Sequence, residues 1–267
     1  MQQSWSVNTM IKKRLLFSFS SLIVWILPIL FLIGWQLIGR ADTLPTPLQV
    51  LEGAKRLYLD GTLLDAIWIS TKRAFVGFFI GGSIGFLLGL LNGLSPLSSR
   101  LLDTSIQMIR TIPHLALIPL VILWFGVEES GKLFLVALGV AFPIYLNTYH
   151  GIRNVDRGLM EMGKVYGLKG ISLFRQIILP GALPSILVGI RYALGIMWMS
   201  LIVAETIASD SGIGYMATSA REFMQMDIVL LTIILYAFLG KFSDFVATVL
   251  ERKLLGWHPS FSKLEDS

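Results

Sequence analysis

The chain has 267 residues, of which 54% are apolar and only 15% charged, with a mean hydropathy of +0.72. A soluble domain carries about a quarter of charged residues, so that class is excluded, and the absence of cysteine removes disulfide frameworks and thiolate metal sites. A formal charge of +5 would suit nucleic acid if the cations clustered, but they sort by side of a membrane and no nucleic-acid partner is expected.

About 20 mostly apolar residues are needed to cross roughly 30 Å of hydrocarbon as a helix. Six segments qualify: Leu15–Ile38, Ser70–Leu94, Asp103–Phe125, Leu133–Thr148, Pro184–Ala208 and Ile228–Leu250. The fourth is short and borrows flanking residues. The expected class is an all-α, polytopic membrane protein of about six transmembrane helices.

The basic run Lys12-Lys13-Arg14 precedes the first span, which is longer than the apolar core of a secretory signal and is read as uncleaved. Pro28 is expected to kink it, since proline removes a helical hydrogen bond. Between the first two spans, Leu44 to Ala66 holds Pro45 and Pro47 ahead of a short helical pattern. The second span carries Gly77, Gly81, Gly85, Gly89 and Gly93, each four residues from the next. They share one face and form a smooth groove for a closely packed helix, either within one subunit or at a seam between copies.

In the third span Asp103, Gln107, Arg110 and His114 recur at intervals of four, three and four, which predicts a polar stripe on one face. Either Asp103 and Arg110 satisfy each other, or the stripe lines a gate or pathway. His114 alone indicates no metal, and no metal site is expected.

After the fourth span comes a polar stretch, Gly151 to Pro180, far longer than a connector requires. Leu159, Met162 and Tyr166 stand at helical spacing, Asp156 is placed to cap the helix start, and Gly167 permits a sharp turn at its end. Phe174, Ile177 and Ile178 then form a second apolar face before Pro180. Two short amphipathic helices joined at a glycine make a compact knob, which either contacts another protein or rests on lipid headgroups. The fifth span holds Glu205 near its outer end, where an outer-gate contact or partner docking is open. Beyond it, Ser209 to Asp227 includes Gly212, Gly214 and an amphipathic stretch from Tyr215 to Met226. In the sixth span Lys241 and Asp244 are three apart, close enough to pair, although Lys241 can also snorkel to the interface.

With the N-terminus inside, fourteen Lys and Arg lie at or near the cytoplasm. Seven (Arg40, Lys55, Arg56, Lys72, Arg73, Lys132, Arg221) lie outside among acids such as Asp42, Asp60, Glu128, Glu129 and Asp227. The bias of basic residues toward cytoplasmic loops therefore puts both termini inside. Residues 1–14 form a cytoplasmic segment, 15–250 the transmembrane domain with the loop 151–180, and 251–267 a cytoplasmic tail.

Enzyme readings are poorly supported. The chain has no Gly-x-x-x-x-Gly-Lys-Ser/Thr loop for nucleotide phosphates, and its glycine runs follow no strand. The histidines His114, His150 and His258 all fall near predicted cytoplasmic ends, which gives an intramembrane hydrolase no paired groups at depth. A secondary transporter would need ionisable groups near mid-membrane.

The loop carries Glu161, Gly167 six residues on, and, after nine intervening residues, Ile177-x-Leu179-Pro180. This pattern resembles the signature loop of the membrane subunits of bacterial ATP-binding-cassette (ABC) importers, which begins Glu-Ala-Ala. Here Met162 and Gly163 replace the two alanines, while Glu161, Gly167, Ile177, Leu179 and Pro180 stay in register. The resemblance covers roughly Pro28 to Phe261. The stretches 101–108, 113–119, 179–185 and Ile202-Val203-Ala204-Glu205-Thr206 are similar to permeases for aliphatic sulfonates, in a group that also serves taurine and nitrate.

The resemblance implies a type I importer permease in a bacterial inner membrane, working as a homodimer. Two cytoplasmic ATPase subunits and an extracytoplasmic solute-binding protein would be its partners. ATP and magnesium would sit on the ATPase, this chain carrying no cofactor and no catalytic residue. Glu161 to Ser172 would dock on the ATPase, with Glu161, Met162, Gly163, Tyr166, Gly167, Ile177, Leu179 and Pro180 as the coupling element. For an anionic solute the few fixed mid-membrane cations argue for a weakly binding passage, with selectivity in the external protein.

Overall fold

The computed structural model describes residues 26–39, 44–207 and 209–257. Helix α1 is described over Ile26–Ile38; the rest of the first expected span, the N-terminal segment 1–14 and residues 258–267 of the tail lie outside the described residues. Helix α2, Pro47–Leu59, starts on a capping box in which Thr46 and Gln49 each satisfy the other's backbone amide, with Pro47 on the first turn. A turn at Gly61, with φ of 84°, leads into α3, Thr62–Leu94, whose 33 residues span about 50 Å. Asp60 accepts from the Thr62 amide and hydroxyl, and these bonds hold its carboxyl below the usual carboxylate range.

Helix α4, Pro96–Thr111, begins on a Ser95 cap and stops before Pro113. The chain continues as a single 3-10 turn, His114–Leu117, and helix α5, Ile118–Phe125, at 78° to α4. The third expected span is therefore broken. Pro113 has no amide to continue α4 and drives Ile112 into an extended conformation, ψ 121°. The remaining elements are α6, Glu129–Arg153; α7, Arg157–Val165; the single turn α8, Gly170–Leu173; a π-helical turn, Phe174–Ile178; α9, Leu179–Ile207; α10, Ile213–Glu222; and α11, Met226–Leu254. Among the described residues four helical stretches are long and apolar enough to cross a membrane, and the bent α4–α5 pair makes a fifth if it counts as one span. Several helices run on past the ends of the expected spans, as at Thr62–Ile69 and Gly170–Leu183.

At the centre α3, α6 and α9 pack side by side. The five glycines of α3 all face α6 of the same chain. A methyl at Gly77 would lie 2.6 Å from Val136 Cγ1, and one at Gly89 2.7 Å from the Tyr145 carbonyl oxygen. At Gly81 and Gly85 it would collide with the backbone of Ala137 and Ala141, and at Gly93 it would meet Ile152 at 2.9 Å. The ladder is thus an intrasubunit seam. Against this pair, α9 and α11 contribute Leu194, Met197, Trp198, Leu201 and Tyr236 to the main core, where close packing rather than removal from water holds the helices together. Trp198 anchors α9 to α11 by donating to Ser243 at 2.9 Å.

Candidate functional site

The knob is built from its caps inward. Asp156 accepts from the Leu159 amide at 2.9 Å and starts α7; Gly167, with φ of 81°, ends it while the Leu168 amide closes back on the Gly163 carbonyl. Gly163 is the buried residue of α7, and a methyl there would press on the tips of Leu173 and Ile177. The place where the chain departs from the Glu-Ala-Ala pattern is thus a close contact between the two arms of the knob. Below it, Ile178 joins Ile152, Val155, Ala182 and Ile186 in a second core cluster, with Met160, Phe174 and Leu179 against it.

The knob exposes large apolar side chains together with charged ones. Val165 is 85% exposed, Tyr166 79% and Ile171 72%. Glu161, Arg157, Lys164, Lys169 and Arg175 are exposed, and Glu161 makes no ion pair among the described residues. Leu179 and Pro180 are half-buried at the root of α9. From Gly170 to Ile207 the chain is one 38-residue helical rod, so the knob and the fifth span share an axis.

The expected stripe on the third span does not exist as one face. The break at Pro113 turns His114 away from Asp103, Gln107 and Arg110, because residues on either side of an interrupted helix lose the 3.6-residue register. Asp103 accepts from Tyr145 at 2.8 Å, and the Tyr145 hydroxyl also receives the Asn92 side-chain amide at 2.9 Å. No Asp103–Arg110 pair forms; Arg110 is exposed and Gln107 half-buried. His114 Nε2 lies 2.9 Å from Ser200 Oγ on α9, beside Gly139 of α6. No residue of α4 is buried.

At the end of the bundle far from the knob, Glu205 is only 1% exposed and cannot touch a docking partner directly. It accepts from Arg73 Nη1 at 2.9 Å, Ser70 Oγ at 2.8 Å, the Gly214 amide at 2.9 Å and Tyr236 at 3.1 Å. Arg73 also donates to Glu129 and to the Ser211 carbonyl, and Lys132 lies 3.0 Å from Glu129. One buried network therefore ties α3, α6, α9, α10 and α11 together. Sequence reasoning missed Arg73 as its hub, although the signal was present: Arg73 stands one turn ahead of Gly77, in register with the glycine ladder and hence on the buried face. Lys241 and Asp244 pair at 3.0 Å as expected, and Arg191 of α9 joins them at 2.7 Å.

Residues 81–256 match the family described as binding-protein-dependent transport system inner membrane component. The chain belongs to that family. The permease is 57% identical to a putative aliphatic sulfonates transport permease of Escherichia coli (strain K12), over 89% of this chain and 92% of the relative. It is 46% identical to the protein of the same description from Bacillus subtilis (strain 168), over 88% and 87%. Among solved structures, an amino acid ABC transporter described with histidines superposes with a TM-score of 0.61, covering 75% of this chain and 97% of that one, at 16% identity. That likeness supports the type I permease fold. As an ABC importer permease the chain is a multi-pass membrane subunit.

Proposed function

We propose that this permease moves aliphatic sulfonates inward across a bacterial inner membrane, driven by two ATPase subunits that grip the knob. The observation that carries the reading is that the knob leaves Val165, Tyr166 and Ile171 exposed among charged side chains and runs directly into a continuous helix. Exposed large apolar side chains outside the spans suit a protein contact. The knob is then cytoplasmic, with both termini on the same side, and the Arg73–Glu205 network lies at the outer end. This assignment agrees with the excess of basic residues on the knob side.

Coupling follows from the shared axis. When the ATPase pair closes on ATP and magnesium, both held by the partner, the knob is displaced and the rod carries that displacement along α9. Glu161 and Tyr166 act as surface contacts, Gly167 as the turn, and Ile177, Leu179 and Pro180 as the root. A second copy of the chain completes the passage, and an extracytoplasmic binding protein delivers the solute. The sulfonate assignment rests on the two relatives with that description, one of them 57% identical.

The test is reconstitution in lipid with the ATPase and binding protein. Aliphatic sulfonates are expected to stimulate hydrolysis and uptake, with taurine and nitrate as comparison solutes. Glu161→Lys is expected to abolish uptake while insertion persists. Uptake by the permease without an ATPase, or parental uptake by Glu161→Lys, would overturn the proposal.

A further inference from the structure

The knob and the fifth span meet at Phe174–Ile178, where the helix opens into a π turn and the Leu179 amide donates to the Phe174 carbonyl, five residues back. The sequence supplies the cause. Pro180 has no amide for the Gln176 carbonyl, and Pro184 none for the Pro180 carbonyl. In regular α geometry the ring of Pro180 would press on the Gln176 carbonyl, and widening the turn relieves that contact. An α-helix here would gain no bond at Pro180, so closing the turn restores nothing at that position.

The side chains of the turn bridge the knob and the bundle. Ile177, with Leu173 before it, packs on Gly163 of α7, where there is no room for a methyl unless those tips move. The adjacent Ile178 is buried in the core with Ile152, Val155, Ala182 and Ile186. Ile177 thus touches the knob and the bundle cluster at once, whereas Ile178 is buried in the bundle cluster. A π turn contains one residue more than the α turn it replaces. Moving or closing it changes the register of knob against span by about one residue, roughly 100° of rotation and 1.5 Å of rise.

We propose that this π turn is the joint of the permease: it opens and closes its extra residue as the knob is moved, so that the knob's rotation is taken up at the turn while its displacement passes on to α9. The proposal rests on the coupling role of the knob and adds the site at which the rotation is taken up. Single-turn π segments inside α-helices are frequent at functional positions.

The test uses the full complex, permease with ATPase subunits and binding protein, in lipid nanodiscs. Hydrogen exchange at the amides of Gln176 to Leu179 is expected to differ by about tenfold between nucleotide-free and ATP-trapped complexes, while those of Leu187 to Leu194 stay unchanged. Identical exchange in the two states would overturn the joint. Deleting Gln176, an exposed residue of the turn, is expected to leave co-purification with the ATPase and hydrolysis intact and to lose uptake per ATP. Parental uptake per ATP by the deletion would also overturn it. If the deletion does not assemble, the exchange of the parental complex decides. Failure of the parental permease to co-purify with the ATPase would refute the coupling reading itself, an outcome separate from a static turn in an assembled complex.

Discussion

Replacing Glu205 by Ala tests whether the far-end network holds the bundle together. The substitution strips four donors of their acceptor: Ser70, Arg73, the Gly214 amide and Tyr236. Ser70 loses least, since its oxygen still receives the Ile213 amide. The Gly214 amide and Tyr236 hydroxyl are left in a dry site, each at about 1–3 kcal/mol. Removing one partner of a buried pair typically destabilises by about 3–5 kcal/mol. Arg73 keeps Glu129 and Ser211, so its share falls below that range. Together the loss is on the order of 5 kcal/mol, comparable with the whole margin of many domains. Thermal unfolding of the purified permease in nanodiscs is expected to shift down by roughly 10–20 °C for a chain of this size. Glu205→Gln, which keeps one acceptor oxygen but turns an amide toward Arg73, should fall about halfway. A Glu205→Ala permease melting within about 2 °C of the parent would refute the reasoning. Coupling gives a second check: Arg73→Ala combined with Glu205→Ala should destabilise less than the sum of the two, because each removes the same interaction.

Gly85→Leu is expected to force α3 from α6 and block accumulation of folded permease, whereas Gly240→Ala, with no atom near the new methyl, should be neutral or add about 0.5–1 kcal/mol of stability; fluorescence-detected size exclusion reads both. Tyr145→Phe removes the hydroxyl that joins Asn92 to Asp103 and should lower the melting point by an amount equivalent to about 1–3 kcal/mol, with α4 becoming more protease-sensitive. Gly163→Ala, which restores the alanine of the family pattern, meets only the flexible tips of Ile177 and Leu173, so uptake should stay near parental. Since the chain contains no cysteine, Tyr166→Cys gives a single label site, expected to react with an impermeant maleimide only in inside-out vesicles.

Local chemistry was legible before any coordinates. Asp156, Gly167 and the four-residue glycine spacing each act within a few turns of helix, and their caps, turn and face follow from sequence. What escaped depended on distant partners. Pro113 announced an interruption in the third span, but the 78° change of direction comes from Ile118 and Val121 finding their places in a cluster with Leu135 and Ala204. Hydropathy is blind to direction, so a broken span and a straight one score alike. The sequence places Glu205 near the outer end of the fifth span and leaves a gate contact or partner docking open, because nothing near it in sequence neutralises it; its partner Arg73 lies 132 residues earlier. The knob's arms were found from periodicity, yet the π turn was not, since a single extra residue barely perturbs the apolar pattern.

The seam between α3 and α6 has a mechanical consequence. Where backbone meets backbone, or a stiff β-branched side chain, there are few rotamers to reshuffle, and a sliding motion would have to lift every glycine over a carbonyl or a β-branched side chain at once. The two helices must travel as a single stave. Whatever swings during a transport cycle has to be sought among elements without such interlocking, and α4, leaning on the stave through a few hydroxyls and a carboxylate, is the freest of them.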